Sequence, residues 1–204
     1  MKKAKLYIIA APSGTGKTSL VDALVNDSDE LKLSISHTTR NKREGEQEGE
    51  HYHFVSRDVF DHMLKDNAFL EHAEVYGNLY GTSREWVEKT LREGCSVILE
   101  IDWQGAQQIR QQFPEAMSIF ILPPSREALE KRLRARQQDD EATIQRRMQA
   151  LKNEVVHYDE FDYLMVNDEF HHALDELKQV VHHGKTQDNK DRQAHMTLVK
   201  ALLA

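Results

Sequence analysis

Ala11-Pro12-Ser13-Gly14-Thr15-Gly16-Lys17-Thr18 decides the reading of this chain, lying between Leu6-Tyr7-Ile8-Ile9-Ala10 and Ser19-Leu20-Val21-Asp22-Ala23-Leu24-Val25. An apolar run, a glycine-punctuated loop and a second apolar-rich run, in that order, predict strand, loop and helix. The closing Gly-Lys-Thr fits the pattern that cradles phosphates: successive backbone N–H groups and a helix N-terminus surround the anion with positive potential. Lys17 is expected to reach the β- and γ-phosphates, and the Thr18 hydroxyl to ligate Mg²⁺. Ala11 stands where the generic pattern has its first glycine, which requires a negative φ at that residue.

Outward from the loop, short strands alternate with helices. The sequence predicts strands at 5–10, 31–37, 51–55, 96–101, 117–122 and 163–166, and helices at 17–26, 84–92, 105–112, 126–136, 142–158 and 170–181. The 31–37 stretch alternates apolar and polar residues, as a half-covered strand does. The 96–101 stretch is almost continuously apolar and reads as a central parallel strand. Ser56 caps a helix carrying Phe60, Met63 and Leu64, and Thr82 or Ser83 caps the helix that ends at Gly94. A small hairpin surrounds Gly77. Pro123-Pro124 stops a strand, and Ser125 opens a helix with Leu129 and Leu133 on one face. Residues 137–141 form a polar turn, 184–190 a polar linker, and 191–204 a short amphipathic helix using Met196, Val199 and Leu203. The fold class that follows is α/β, three layers with a parallel central sheet. The section 37–83 breaks the alternation and reads as a small mixed α+β insert. The charged pair of helices at 126–158 reads as a helical lid.

The chain has 204 residues and a formal net charge of −7, which argues against general nucleic-acid binding. No apolar run approaches the roughly 20 residues that span a bilayer. Met1-Lys2-Lys3 leads straight into a strand rather than a signal peptide, and the sole cysteine, Cys95, reads as an inert small hydrophobe. A cytoplasmic protein is expected. Eleven histidines include the doublets His171-His172 and His182-His183, without metal-ligand spacing. Arg40 and Arg43 lie in the insert; Arg132, Arg134, Arg136, Arg146 and Arg147 lie in the lid. Arg134 reads as part of a solvated helix face. Some of the other guanidinium groups read the same way, and the rest suit a second, acceptor phosphate. Glu100 and Asp102, i and i+2 at the end of a strand, are expected to point one way and to orient the hydration shell of Mg²⁺ or hold an arginine.

The chain resembles bacterial guanylate kinases, P-loop kinases of nucleoside monophosphates. The likeness is carried by the phosphate loop, by Ser34-Ile35-Ser36-His37-Thr38-Thr39-Arg40 with Arg43, by Tyr76-Gly77-Asn78-Leu79-Tyr80-Gly81-Thr82, by Leu99-Glu100-Ile101-Asp102-Trp103-Gln104-Gly105, and by Val166-Asn167-Asp168. It implies transfer of the γ-phosphoryl group of ATP to GMP, and to dGMP, with Mg²⁺. It implies a core at 1–36, 84–125 and 159–184, a GMP-binding insert at 37–83, a lid at 126–158 and a tail at 185–204. The tail packs on the core or on a second copy, the latter making a homo-oligomer.

The resemblance assigns residues as well. ATP and its metal fall to Ser13, Gly14, Thr15, Gly16, Lys17, Thr18 and Ser19, with Arg132 and Asn167 beside them. GMP falls to Ser36, Glu71, Thr82 and Asp102 at the base and to Arg40, Arg43, Tyr52 and Tyr80 at the phosphate. Lys17, Arg43, Arg136 and Arg147 act on the transferring group. The Ser36 and Thr82 hydroxyls are expected to donate to guanine O6 or N7. Gln137 departs from the family pattern, which commonly has glycine there. The competing readings are a kinase for another nucleoside monophosphate and a non-catalytic binding module of the same fold.

Overall fold

In the computed structural model, which describes residues 4–136 and 140–204, every residue of Leu6–Ala10 (β1) is buried, as a strand covered on both faces requires. The readings that fell on Met1-Lys2-Lys3 and Gln137-Gln138-Asp139 lie outside these residues. The loop leads into Lys17–Val25 (α1), with Leu20, Val21 and Leu24 facing inward. Leu31–Leu33 (β2), His37–Thr38 (β3) and His53–Phe54 (β4) are short strands. Arg57–Lys65 (α2) is capped by Ser56 and buries Phe60 against Phe69 and Leu79. Phe69–Val75 (β5) and Asn78–Ser83 (β6) form an antiparallel hairpin. Its turn residues, Tyr76 and Gly77, have φ of 51° and 79°, the sign pair of a type I′ turn. Arg84–Arg92 (α3) is capped by Ser83 and ends before Gly94, at φ 88°. Ser96–Glu100 (β7) runs into Trp103–Gln112 (α4), and Met117–Leu122 (β8) into Arg126–Ala135 (α5), capped by Ser125. Glu141–Val155 (α6), Tyr163–Val166 (β9), Phe170–His183 (α7), Asn189–Ala194 (α8) and Met196–Leu203 (α9) complete the chain.

Five strands follow the order β2-β7-β1-β8-β9, and four follow β4-β3-β6-β5. The chain divides into two compact units, passing from one to the other inside β1. One unit holds residues 1–8 and 29–116. There β2 pairs in parallel with β7 (Leu31 with Ser96), and the whole four-stranded sheet lies in the insert section. The other unit holds residues 9–28 and 117–204. There β8 pairs in parallel with β9 (Ile119 with Tyr163), α1 packs on α7, and α6 packs on α5 and α9. No helix among the described residues is long and apolar enough to cross a membrane.

Several boundaries differ from the sequence reading. The strand expected at 31–37 is two strands of two sheets. After Leu33 the Ser34 N–H still donates to the Ile98 carbonyl at 3.0 Å, but the Ser36 carbonyl already accepts from His53 N–H at 2.9 Å. Alternation fixes which face a residue takes, not which sheet it joins. The 96–101 stretch, by contrast, is the interior strand expected, β7 lying between β2 and β1. Helix α4 begins at Trp103, two residues early, because Asp102 caps it. The helix expected to reach 158 ends at Val155, followed by a 3₁₀ turn at Tyr158–Glu160. Helix α7 runs on to His183, where Gly184 closes it at φ 68°. The expected linker already starts α8, and the tail buries Val199 and Leu202 rather than Met196 and Leu203.

The pairing of β3 with β4 has a consequence for stability. It sets His37 opposite His53, ring centroids 4.7 Å apart, and His37 Nδ1 has no hydrogen-bond partner among the described residues. Burial lowers the His37 pKa to about 4; the His53 ring adds to this and Glu48 opposes it. The unfolded chain therefore takes up a proton near the ordinary histidine pKa that the folded chain refuses. Stability should fall as pH drops from about 6.5 towards 4. In His37→Asn that segment of the melting-temperature profile should flatten; an unchanged slope assigns the effect to other groups.

Candidate active site

The loop's shape is set by backbone. Thr15 N–H donates to the Pro12 carbonyl at 3.1 Å, and Gly14 and Gly16 take φ of 91° and 97°, a region that side chains resist. Ala11 is not among the residues with positive φ, as its Cβ requires. A Cβ on Gly14 would lie 2.7 Å from Leu133 Cδ2 and 3.1 Å from Leu129 Cδ1, so the apolar face of α5 is seated on the loop. The Thr15 carbonyl is held twice, by Asn167 Nδ2 at 2.7 Å and by Arg132 Nη1 at 3.1 Å. A trans peptide points its C=O and N–H oppositely, so these bonds turn the Gly16 N–H away from Asn167 and Arg132. Gly16 then caps α1, whose first turn carries the half-buried Lys17 and the exposed Thr18 and Ser19. Backbone N–H groups and helix dipole there favour an anion.

Asn167 and Arg132 thus serve the loop itself. Asn167 is only 4% exposed, and Arg132 also donates to the Asp168 carbonyl at 3.2 Å. Helix α6 reaches the loop's beginning from one face: Arg147 Nη1 donates to Ser13 Oγ at 2.8 Å, and Ser13 N–H donates to Glu154 Oε2 at 3.2 Å. Arg136 is exposed at the end of α5. Arg134 is exposed too, paired with Glu130 and Glu141.

The other unit carries the residues expected for the acceptor. Glu71 is 3% exposed, and Thr82 Oγ1 donates to its Oε1 at 2.6 Å. The two face each other because β5 bulges: Phe69 pairs with Ser83 and Glu71 with Thr82, leaving Leu70 as the extra residue. One hydroxyl has one proton, so the Thr82 donation expected for guanine goes to Glu71 instead. Asp102 lies past the end of β7, so the strand rule that set it beside Glu100 does not reach it. Its Oδ1 accepts from Gly105 N–H at 3.0 Å and its Oδ2 from Gln104 Nε2 at 2.9 Å. Glu100 is half-buried at the strand end, and Ser36 is half-buried between β2 and β3.

Arg40, Tyr52 and Tyr80 come together. The guanidinium lies 5.3 Å from the centroid of the Tyr52 ring, which meets Tyr80 edge-on at 5.8 Å. Burial pushes the Tyr52 hydroxyl well above the ordinary tyrosine range, with Glu100 and Tyr80 adding to the shift, so it stays a proton donor. The sequence reading missed Glu46, which grips Arg40 with both oxygens (2.6 and 3.0 Å) and accepts from Arg43 N–H at 2.7 Å. The acid-rich run from Glu44 to Glu50 was the available signal. It missed Glu154 as well, for which a contact across 141 positions leaves no local trace.

The guanylate kinase family model matches residues 3–184. The chain belongs to the guanylate kinase family. A guanylate kinase of Saccharophagus degradans is 54% identical over 199 residues, covering 98% of this chain and 97% of that one. One of Alcanivorax borkumensis is 60% identical over 179 residues, covering 88% and 86%. The crystal structure of guanylate kinase from Anaplasma phagocytophilum matches with a TM-score of 0.75 at 28% identity, covering 100% of this chain and 98% of that one. The α/β class expected from the sequence agrees with this family, and membership makes the chain a nucleotide-binding phosphotransferase.

Proposed function

We propose that the protein transfers the γ-phosphoryl group of ATP reversibly to GMP and dGMP, giving ADP and the guanosine diphosphate, with Mg²⁺. The observation that carries the acceptor's identity is the buried carboxylate of Glu71, held by Thr82. A carboxylate offers only acceptors, and guanine presents two donors side by side, N1–H and the 2-amino group. Adenine has a lone pair at N1 and no 2-amino group. It would leave the carboxylate unpaired, at a cost of about 1–3 kcal/mol and more for a charge. Ser36 and Asp102 complete the base subsite in this reading; Arg40, Arg43, Tyr52 and Tyr80 hold the acceptor phosphate. Glu46 keeps Arg40 neutralised until that phosphate replaces it.

The loop residues 13–19 take the ATP phosphates, with Arg132 and Asn167 holding the loop behind them. The Thr18 hydroxyl, exposed at the start of α1, is the kind of oxygen donor that suits Mg²⁺. The bound cation would neutralise charge on the β- and γ-oxygens. No general base is needed, because the attacking group is already a phosphate anion, so these residues work by position and charge. The insert 37–83 is assigned to GMP, 126–158 to a lid, and the cytoplasm is the proposed compartment. The binding-module reading is disfavoured by the presence of Lys17, Thr18, Arg40, Arg43 and Glu71 together.

The test is nucleoside diphosphate formation from ATP with GMP, dGMP, AMP and dTMP. GMP and dGMP should be used, with kcat/KM for AMP and dTMP lower by about a thousandfold or more. Equal use of AMP or dTMP would overturn the assignment. A second expectation separates the arginines. Arg147, bonded to Ser13 at the loop's beginning, is proposed to follow charge onto the transferring group. Arg147→Ala should therefore lower kcat about a hundredfold and leave the GMP KM nearly unchanged. Arg43→Ala should raise that KM strongly. Steady-state kinetics run side by side decide it: a rise in KM with kcat intact makes Arg147 a binding residue.

A further inference from the structure

Strand β5 is an edge strand, yet its outer backbone groups are not left to solvent. They pair with glutamines of α4. Gln112 Nε2 donates to the Leu70 carbonyl at 2.7 Å. Gln108 Nε2 donates to the His72 carbonyl at 2.8 Å while its Oε1 accepts from His72 N–H at 3.1 Å, and Gln104 Nε2 meets the Glu74 carbonyl at 3.4 Å. Four residues of helix advance about 6 Å and two of strand about 6.7 Å, so a glutamine every fourth position keeps step with every second strand residue. The helix stands in for a missing strand, and Glu71 lies within the span it holds.

The first turn of the same helix meets the Glu71 side chain directly. A Cβ built on Gly105 would overlap Glu71 Oε2 and lie 2.9 Å from its Cδ. Gly105 has no positive φ that would demand glycine. Glycine is also the poorest helix former after proline, so the backbone gives no reason for it here. The reason available is room for the carboxylate, set across a helix start whose dipole favours negative charge.

We propose that Gly105 and the ladder of Gln104, Gln108 and Gln112 are positioning residues for base selection: the ladder fixes β5 on α4, and the missing Cβ lets the Glu71 carboxylate stand where it meets the base. This rests on Glu71 being the guanine acceptor. In Gly105→Ala the methyl displaces the carboxylate, so kcat/KM for GMP should fall about thirtyfold and the GMP-to-AMP preference by a similar factor, with the ATP KM unchanged. Glu71→Asp withdraws the carboxylate by one methylene. The pair Gly105→Ala/Glu71→Asp should therefore cost no more than Glu71→Asp alone, a rescue that a general weakening of α4 would not give. Gln108→Met keeps length and helix propensity but removes both bonds to His72; it should raise the GMP KM about fivefold, and it decides the matter if Gly105→Ala does not fold. Losses that multiply in the double variant, or a folded Gly105→Ala with unchanged GMP-to-AMP preference, overturn the proposal. An unchanged preference in Glu71→Gln instead overturns the reading beneath it.

Discussion

Lys17→Ala should lower kcat about a thousandfold and leave the fold intact. Lys17 is the first residue of α1, directly after the Gly16 turn. In the proposed reaction its ammonium meets the β- and γ-oxygens, where charge moves during transfer. Removing one cation from such a site costs on the order of 4 kcal/mol of barrier. The loop keeps its form for other reasons: the two glycines, the Thr15–Pro12 bond, the leucines of α5 and the two donors on the Thr15 carbonyl. The melting temperature should therefore move by no more than a few degrees. Lys17→Arg should recover little, since a planar fork does not replace a compact point charge with three rotatable donors. A purified, folded Lys17→Ala with kcat within tenfold of the parent would remove Lys17 from the mechanism.

The loop was legible because its signals are local: an apolar run, glycines at two positions and a helix start within about twenty residues. The caps at Ser56 and Ser125, the choice of Thr82 or Ser83 that settles on Ser83, and the hairpin around Gly77 were legible for the same reason. What the chain does not announce is which partner a polar group finds at long range. Asn167 reads as a lining residue, and its amide in fact bonds the Thr15 carbonyl. Thr82 reads as a donor to the base, and its proton is committed to Glu71 across the bulge. Gln104, Gln108 and Gln112 carry no sequence signal of their role, because a period of four says nothing about an edge strand 30 to 42 residues earlier. The break between β2 and β3 was hidden because one alternation continues through both.

Glu71→Gln should separate the chemical role of the carboxylate from its structural one. Glutamine has nearly the same shape, and one amide oxygen can still accept from Thr82 Oγ1, the 2.6 Å bond of the parent. The space opposite Gly105 is unchanged, so the side chain fits. The amide nitrogen, however, turns a donor towards guanine, which offers donors of its own there. The expected loss in kcat/KM for GMP is about 30- to 1,000-fold, roughly 2–4 kcal/mol. AMP should gain or hold, since its N1 lone pair now meets a donor, and the gap between the two substrates should narrow. Stability should hold or rise, because a buried carboxylate gives up hydration that a neutral amide does not. Rates on GMP and AMP, measured with the melting temperature, distinguish the cases. A lower melting temperature with the GMP-to-AMP ratio intact would make Glu71 a structural acid of the β5–β6 hairpin, and base choice would then have to rest on Ser36 and Asp102.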